Sequence, residues 1–379
     1  MKRLVLPLAI LIGLSAVGPA AAASALPPGQ LAAIRALIQA EMKKRQIPGA
    51  TFAIGTGGRL VWSEGFGYAD LENNIKAGPE TAYRTASIGK SITATGAMEL
   101  VEQGKLDLDA PVQKYCPRFP PKPWPVTVRH LISHTSGIRH YGGANEQAEL
   151  FNTRHYDHVS DAVDIFKDDP LQQKPGADFM YTTWGYVLLG CVIEGATHEE
   201  FRSYIKHRIF DRADMVSTRD DDPAAIIPGR SRGYILVDGK LQNSRTVDMS
   251  SKMAAGGWIT TAPDMIRYLD AWMAGRFVGR ETRALMLKPF VLPDHGGTVD
   301  GYGMGWFLDD YHGMRAGLYG GGTPQVSAIV FMVPEKNLAI AGFFNLEEVP
   351  GTERIELAEA IADVVLGYRT PNNSQLTPD

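Results

Sequence analysis

Strand-like runs stand next to strand-like runs at both ends of this chain, and helix signals fill the stretch between them. Near the start, ATFAIG and RLVWSEGFGYA flank Gly57-Gly58, the spacing and turn chemistry of a β-hairpin. Near the end come MGWFLD, QVSAIVFMV and LAIAGFF. Strands that adjoin strands, rather than alternating with helices, point to an α+β fold built on an antiparallel sheet. A helix with apolar residues at Leu31, Ile34, Leu37, Ile38 and Met42 precedes the hairpin, and Pro48-Gly49 stop it. A second closes the chain from about 352 to 366, so the terminal helices are expected to cover the sheet.

Between the two ends, a helix is expected from about Ser87 to Gln103, stopped by Gly104. Prolines 117, 120, 121, 123 and 125 mark a surface loop, and helices are expected at 126–133, 159–167, 182–195 and 198–209. Thr261-Ala-Pro-Asp264 reads as a capping box with proline in the first turn. The resulting organisation is a sheet domain of residues 26–105 and 250–379 with a mainly helical region, 106–249, inserted. No internal repeat is visible, and only the tail beyond Pro371 reads as disordered.

Residues 1–23 read as a cleavable leader. Lys2 and Arg3 are followed by an apolar run from Leu4 to Val17 and by small residues at Ala20–Ala23. The run is short for the ~30 Å of a bilayer core, and no stop-transfer pattern follows it, so stable membrane insertion is not expected. The mature protein is expected to be exported, to the periplasm or beyond. In an oxidising compartment Cys116 and Cys191 can pair, although the simpler reading is two separate buried small hydrophobes, because a large core needs no staple. A net charge of −4, with no basic run interleaved with aromatics, argues against a nucleic-acid partner.

Ser87-Ile-Gly-Lys90 is the sharpest chemical feature. A serine opening a helix has a lysine three residues on upon its own face. There the amine can hydrogen-bond the hydroxyl or, if burial makes it neutral, take its proton. Free N–H groups at a helix start can hold an oxyanion. Tyr181-Thr-Thr183 precedes an apolar helix, and near a lysine its phenol can serve as a base. Gly320-Gly321-Gly322-Thr323 stands before a strand, where glycines permit close approach of a ligand backbone, although a flexible turn is the simpler reading. Gly229-Arg-Ser231-Arg-Gly233 matches G-x-S-x-G, but a strand-like YILVDG follows where the nucleophile elbow requires a helix. His155 and His158 lack a third ligand, so no metal is expected.

These segments occur in an order that resembles the serine beta-lactamase-like superfamily: class C beta-lactamases, low-molecular-weight penicillin-binding proteins, D-aminopeptidases and related esterases. TASIGKSITATGAMELVEQGKLDLDAPVQKY is similar to its nucleophile helix, and VTVRHLISHTSGI to its L-L-x-H-T-S-G signature. KPGADFMYTTWGYVLLG, MAAGGWITTAPDMIRYL and YGGGTPQVSA resemble three further motifs, the last bearing the third catalytic motif. The wording SGIRHY, with YTT, most resembles the mitochondrial serine beta-lactamase-like branch and its bacterial relatives.

The resemblance implies a beta-lactamase/transpeptidase-like fold and an acyl-enzyme on Ser87. Lys90 would assist deprotonation, and Tyr181 would act as base and then acid. The N–H groups of Ser87 and Gly322 would form the oxyanion hole, with Thr183, Tyr319, Gly320 and Gly321 at the substrate. No cofactor is implied, and the partner would be a small ester, peptide or lactam. Beta-lactamase and D,D-peptidase are alternatives within the enzymes, and a non-catalytic scaffold is the alternative outside them. Two departures bear on substrate: Thr183 stands where many members have Asn, and Tyr319 where the third motif has Lys or His.

Overall fold

The computed structural model describes residues 26–142, 145–290 and 300–369; the leader and the tail beyond Pro371 lie outside the described residues. In chain order the helices are α1 (Pro28–Arg45), α2 (Gly89–Glu102), α3 (Val128–Ile132), α4 (Glu146–Leu150), α5 (Thr183–Thr197), α6 (Phe201–Ile205), α7 (Met253–Gly256), α8 (Ala262–Met273), α9 (Arg280–Met286) and α10 (Gly351–Leu366). The strands are β1 (Gly49–Thr56), β2 (Arg59–Asp70), β3 (Ile75–Lys76), β4 (Tyr83–Arg84), β5 (Arg219–Asp220), β6 (Tyr234–Val237), β7 (Lys240–Asn243), β8 (Trp258–Thr260), β9 (Gly301–Tyr302), β10 (Phe307–Tyr311), β11 (Met314–Thr323), β12 (Val326–Val333) and β13 (Leu338–Phe344).

Gly57 and Gly58 both take positive φ, 62° and 75°, so the two-residue turn between β1 and β2 has the twist that antiparallel strands need. The main sheet runs β3-β2-β1-β13-β12-β11-β10-β9, every neighbouring pair antiparallel. Its central strands are buried on both faces, which is why they read as unbroken apolar runs. Alternate residues feed two cores. Phe52, Ile329, Phe331, Ile340 and Phe344 pack under α1 and α10. Ala328, Val330, Met332, Ala341 and Phe343 face the helical side, where α2, α5 and α8 lie. The terminal helices therefore cover one face, as expected, and α2, α5 and α8 lie on the other.

The structure corrects four local readings. Cys116 and Cys191 are joined in a disulfide, with Cα atoms 5.6 Å apart, and are not separate buried thiols. The pairing fastens the segment after α2 to the middle of α5, a contact that spacing alone does not reveal. The Gly320–Thr323 run stands before a strand, β12, as expected, but it is not a flexible turn; it is itself the end of β11, in register with Val326–Ile329 of β12. The helix expected over 198–209 is broken, α6 giving way to a π turn at Lys206–Phe210. Only half of the Thr261 capping box forms. Thr261 accepts from the Asp264 N–H, but the Asp264 carboxylate turns to the Ser217 N–H and the Thr218 hydroxyl. Among the described residues no helix is long and apolar enough to cross a membrane.

Candidate active site

Ser87 lies in a 3₁₀ turn, Ala86–Ile88, that leads into α2. Ala86 takes φ 45°, a left-handed conformation costly for a residue with a Cβ, and backbone strain of this kind gathers at functional sites. One turn on, Lys90 is 1% exposed, with Nζ 3.0 Å from Ser87 Oγ and donating to the Ala255 carbonyl at 3.2 Å. Burial lowers the Lys90 amine from the ordinary lysine range, while the neighbouring Tyr181, its ring centre 4.9 Å from Nζ, opposes the shift. Tyr181 precedes α5, whose start is fixed by Thr182: its hydroxyl accepts from the Gly185 N–H at 3.2 Å. One buried amine thus meets both the serine and the tyrosine singled out from the sequence.

Strand β11 runs past Ser87. A Cβ added at Gly321 would lie 2.7 Å from Thr85 O and 3.2 Å from the Ala86 Cβ, so the strand abuts the residues just before the serine. Gly322, next along, has open space where a side chain would be. β10 pairs with β11 only over residues 314–318, so in the main sheet the Tyr319–Thr323 edge is unpaired on that side. The two expected oxyanion donors, the Ser87 and Gly322 amides, are therefore on neighbouring segments.

One expected substrate contact, Tyr319, is corrected. Tyr319 is fully buried, and Gly320 presents its Cα to the Arg354 guanidinium of α10, on the opposite face of the sheet. The Thr183 N–H donates to His140 Nδ1 at 3.1 Å, so it belongs to the wall of the site. Arg315 is paired, loosely, with Asp300 at 3.8 Å, four residues or about 13 Å along the strand from Tyr319.

Tyr319 belongs instead to an ordered chain. The Thr182 N–H donates to His134 Nδ1 at 3.2 Å, so the ring proton is on Nε2, which faces the Tyr319 hydroxyl at 3.4 Å. Tyr186 donates to the Ile132 carbonyl at 2.9 Å; Tyr302 must then donate to Tyr186 at 3.1 Å, and Tyr319 to Tyr302 at 3.2 Å. Burial raises all three phenols. Burial, reinforced by Lys90, holds His134 well below the ordinary histidine range. The His134 ring lies 4.4 Å from that of Tyr181, so the base rests on a neutral floor.

The sequence reading quoted His134 within a motif but assigned it no role, and it passed over Lys252. That lysine is buried, donates to Leu150 O at 2.9 Å and lies 5.0 Å from the Tyr141 ring centre; burial, then Arg84, brings it down to about 7. Buried cations near a reactive group are a recognisable signal, but burial is not readable from one lysine in SSKMAAGG. The decoy Ser231 donates to the Ala69 and Arg232 carbonyls and precedes strand β6, as its context indicated. His155 is paired with Asp248 at 2.8 Å, and among the described residues no group of three or more His, Cys, Asp or Glu is placed to hold a metal.

Fold and site together define a serine beta-lactamase-like protein. The chain belongs to that superfamily: the family model described as Beta-lactamase matches residues 34–366. Serine beta-lactamase-like protein LACTB, mitochondrial, of Homo sapiens is 31% identical over 383 residues, covering 76% of this chain and 69% of its own length. Penicillin-binding protein 4* of Bacillus subtilis (strain 168) is 27% identical, covering 83% of this chain and 72% of its own. Among solved structures, the octameric penicillin-binding protein homologue from Pyrococcus abyssi matches with a TM-score of 0.78 at 27% identity, over 90% of this chain and 78% of that one. D-amino acid amidase from Ochrobactrum anthropi SV3, at 23% identity and a TM-score of 0.77 over 90% of this chain and 99% of that one, shares the fold.

Proposed function

We propose that the protein is an exported serine hydrolase that cleaves esters or amides of small acyl substrates through an acyl-enzyme on Ser87. The observation that carries this reading is the buried Lys90 amine, 3.0 Å from Ser87 Oγ and 4.9 Å from the ring centre of Tyr181. Burial favours the neutral amine, which can accept a proton at neutral pH. Ser87 Oγ attacks the acyl carbonyl carbon while its proton passes to the Lys90–Tyr181 pair. The oxyanion accepts hydrogen bonds from the Ser87 and Gly322 amides. Tyr181 then protonates the leaving oxygen or nitrogen as the bond to the acyl carbon breaks. In the second half the pair takes a proton from water, which attacks the ester, and Ser87 recovers its proton.

Short acyl esters and peptides are the preferred substrates over penicillins. With Tyr319 buried, the third-motif position offers a substrate carboxylate neither charge nor hydroxyl. The unpaired edge of β11 leaves room for an extended acyl chain or peptide to lie beside it. The leader-like residues 1–23 and the Cys116–Cys191 disulfide support export to an oxidising compartment. The test is labelling by a fluorophosphonate together with hydrolysis of p-nitrophenyl butyrate. Both are expected in the wild type and neither in Ser87→Ala; turnover that survives in Ser87→Ala excludes the reading.

A further inference from the structure

Three glycines in succession leave the end of β11 with no side chain to set its peptide planes, and the strand edge there has no sheet partner on the β10 side. Gly-Gly peptides turn over easily, yet an oxyanion hole needs its donors fixed before the charge develops. Pairing with β12 holds this stretch on one side, Gly321 opposite Ala328 and Gly322 opposite Ser327, and a side chain bonded to the Gly321 carbonyl would fix the peptide further.

Arg354 touches it. From α10, on the far face of the sheet, Arg354 Nη1 donates to the Gly321 carbonyl and, at 2.5 Å, to the facing Ala328 carbonyl. No described carboxylate pairs with this arginine. Burial brings the guanidinium down to about 10, which still leaves it cationic at neutral pH. A half-buried arginine whose hydrogen-bond partners are all backbone carbonyls, with no carboxylate among them, is unusual unless the carbonyls matter.

The Gly321 C=O and the Gly322 N–H belong to one peptide unit. The described residues contain no cis peptide, so the two bonds point in opposite directions. With its oxygen held by Arg354 under α10, the unit turns its N–H away from Arg354. A charge-assisted hydrogen bond to the carbonyl also draws electron density from the nitrogen and makes the N–H a stronger donor. We infer that Arg354 is a positioning residue of the oxyanion hole, fixing and polarising the Gly321–Gly322 peptide so that the Gly322 N–H meets the developing oxyanion. The inference rests on the Ser87 acyl-enzyme reading and adds to it a residue on the other side of the sheet.

Arg354→Met, Arg354→Gln and Arg354→Lys separate this role from simple attachment of α10. For p-nitrophenyl butyrate, Arg354→Met should lower kcat about tenfold or more, a fraction of what loss of a whole oxyanion donor costs, with a much smaller change in KM. The inhibition constant of phenylboronic acid, whose tetrahedral adduct places an oxygen in the same hole, should rise by a similar factor. Arg354→Lys, which keeps a cation, should recover most of kcat, and Arg354→Gln, a neutral donor, should fall between; the Gln and Lys pair carries the test if the Met variant does not fold. The inference is overturned if kcat is untouched, if kcat falls while boronate affinity does not, or if Lys is as harmful as Met and the losses follow melting temperature. Ser87→Ala in the same panel separates the two claims: activity surviving there removes the oxyanion reading itself, whereas activity lost there but insensitive to Arg354 removes only this one.

Discussion

Adjacent glycines on β11 should respond very differently to one added methyl group. At Gly321 a Cβ would lie 2.7 Å from Thr85 O, against about 3.4 Å for an ordinary contact, so the strand and the Thr85–Ser87 turn must part by about 0.7 Å. Thr85 cannot easily give way: its N–H donates to Trp258 O at 2.8 Å and its hydroxyl to Gly256 O at 3.2 Å. The displacement therefore separates Ser87 from the Gly322 amide. Misplacing reacting groups by about 1 Å costs on the order of 10²-fold, so Gly321→Ala should lower kcat/KM about tenfold to a hundredfold. It should also destabilise the protein by about 1–3 kcal/mol as an overpacked site. At Gly322 the same methyl meets nothing within 4 Å, so its loss should be at least about fivefold smaller. The assay is kcat/KM for p-nitrophenyl butyrate with thermal melting on the same samples. Wild-type activity in Gly321→Ala, or a larger loss in Gly322→Ala, would refute the placement of β11 against the serine turn.

Lys90→Ala and Tyr181→Phe should each lose about 10²- to 10⁴-fold in kcat, and the double variant should be scarcely worse; multiplied losses would mean that the two act independently. Activity should rise with pH as Lys90 loses its proton, below the ordinary 10.5, and because Tyr181 opposes that lowering, the acid limb of residual activity in Tyr181→Phe should move to lower pH. An unmoved or alkaline-shifted limb would break the proposed pair. Tyr319→Phe leaves the His134 Nε2–H without its acceptor and should cost about 1–3 kcal/mol, read from the urea midpoint, with an unchanged midpoint counting against the ordered chain. Nitrocefin should be a poorer substrate than p-nitrophenyl butyrate by about tenfold to a hundredfold in kcat/KM, since no charge-assisted bond awaits its carboxylate at Tyr319; the reverse order would make the protein a beta-lactamase.

What was readable in the sequence is what local chemistry decides. Gly57-Gly58 specifies a tight hairpin, Ser87 and Lys90 share a helix face by spacing alone, and strands buried on both sides announce themselves as apolar runs. What was not readable depends on partners far along the chain. β11 escaped notice because its glycines lack strand propensity, and it forms because β12 pairs with it over residues 317–323 and Thr85 tolerates no side chain at Gly321. The Cys116–Cys191 bond and the half-formed cap at Thr261 depend on tertiary neighbours. Tyr319 occupied the third-motif position in the sequence, but only the fold shows its hydroxyl turned inward to His134 and Tyr302 rather than to the cleft.

The central claim is that one serine, Ser87, carries the acyl group. It is tested most directly by trapping the protein with a fluorophosphonate or a slow acyl ester, digesting it, and locating the adduct by mass spectrometry. The adduct should fall on Ser87 alone, should be absent from Ser87→Ala, and should be undiminished in Ser231→Ala, where the G-x-S-x-G serine is already bonded to the Ala69 and Arg232 carbonyls. An adduct on Ser231, or one that persists when Ser87 is removed, would contradict the account.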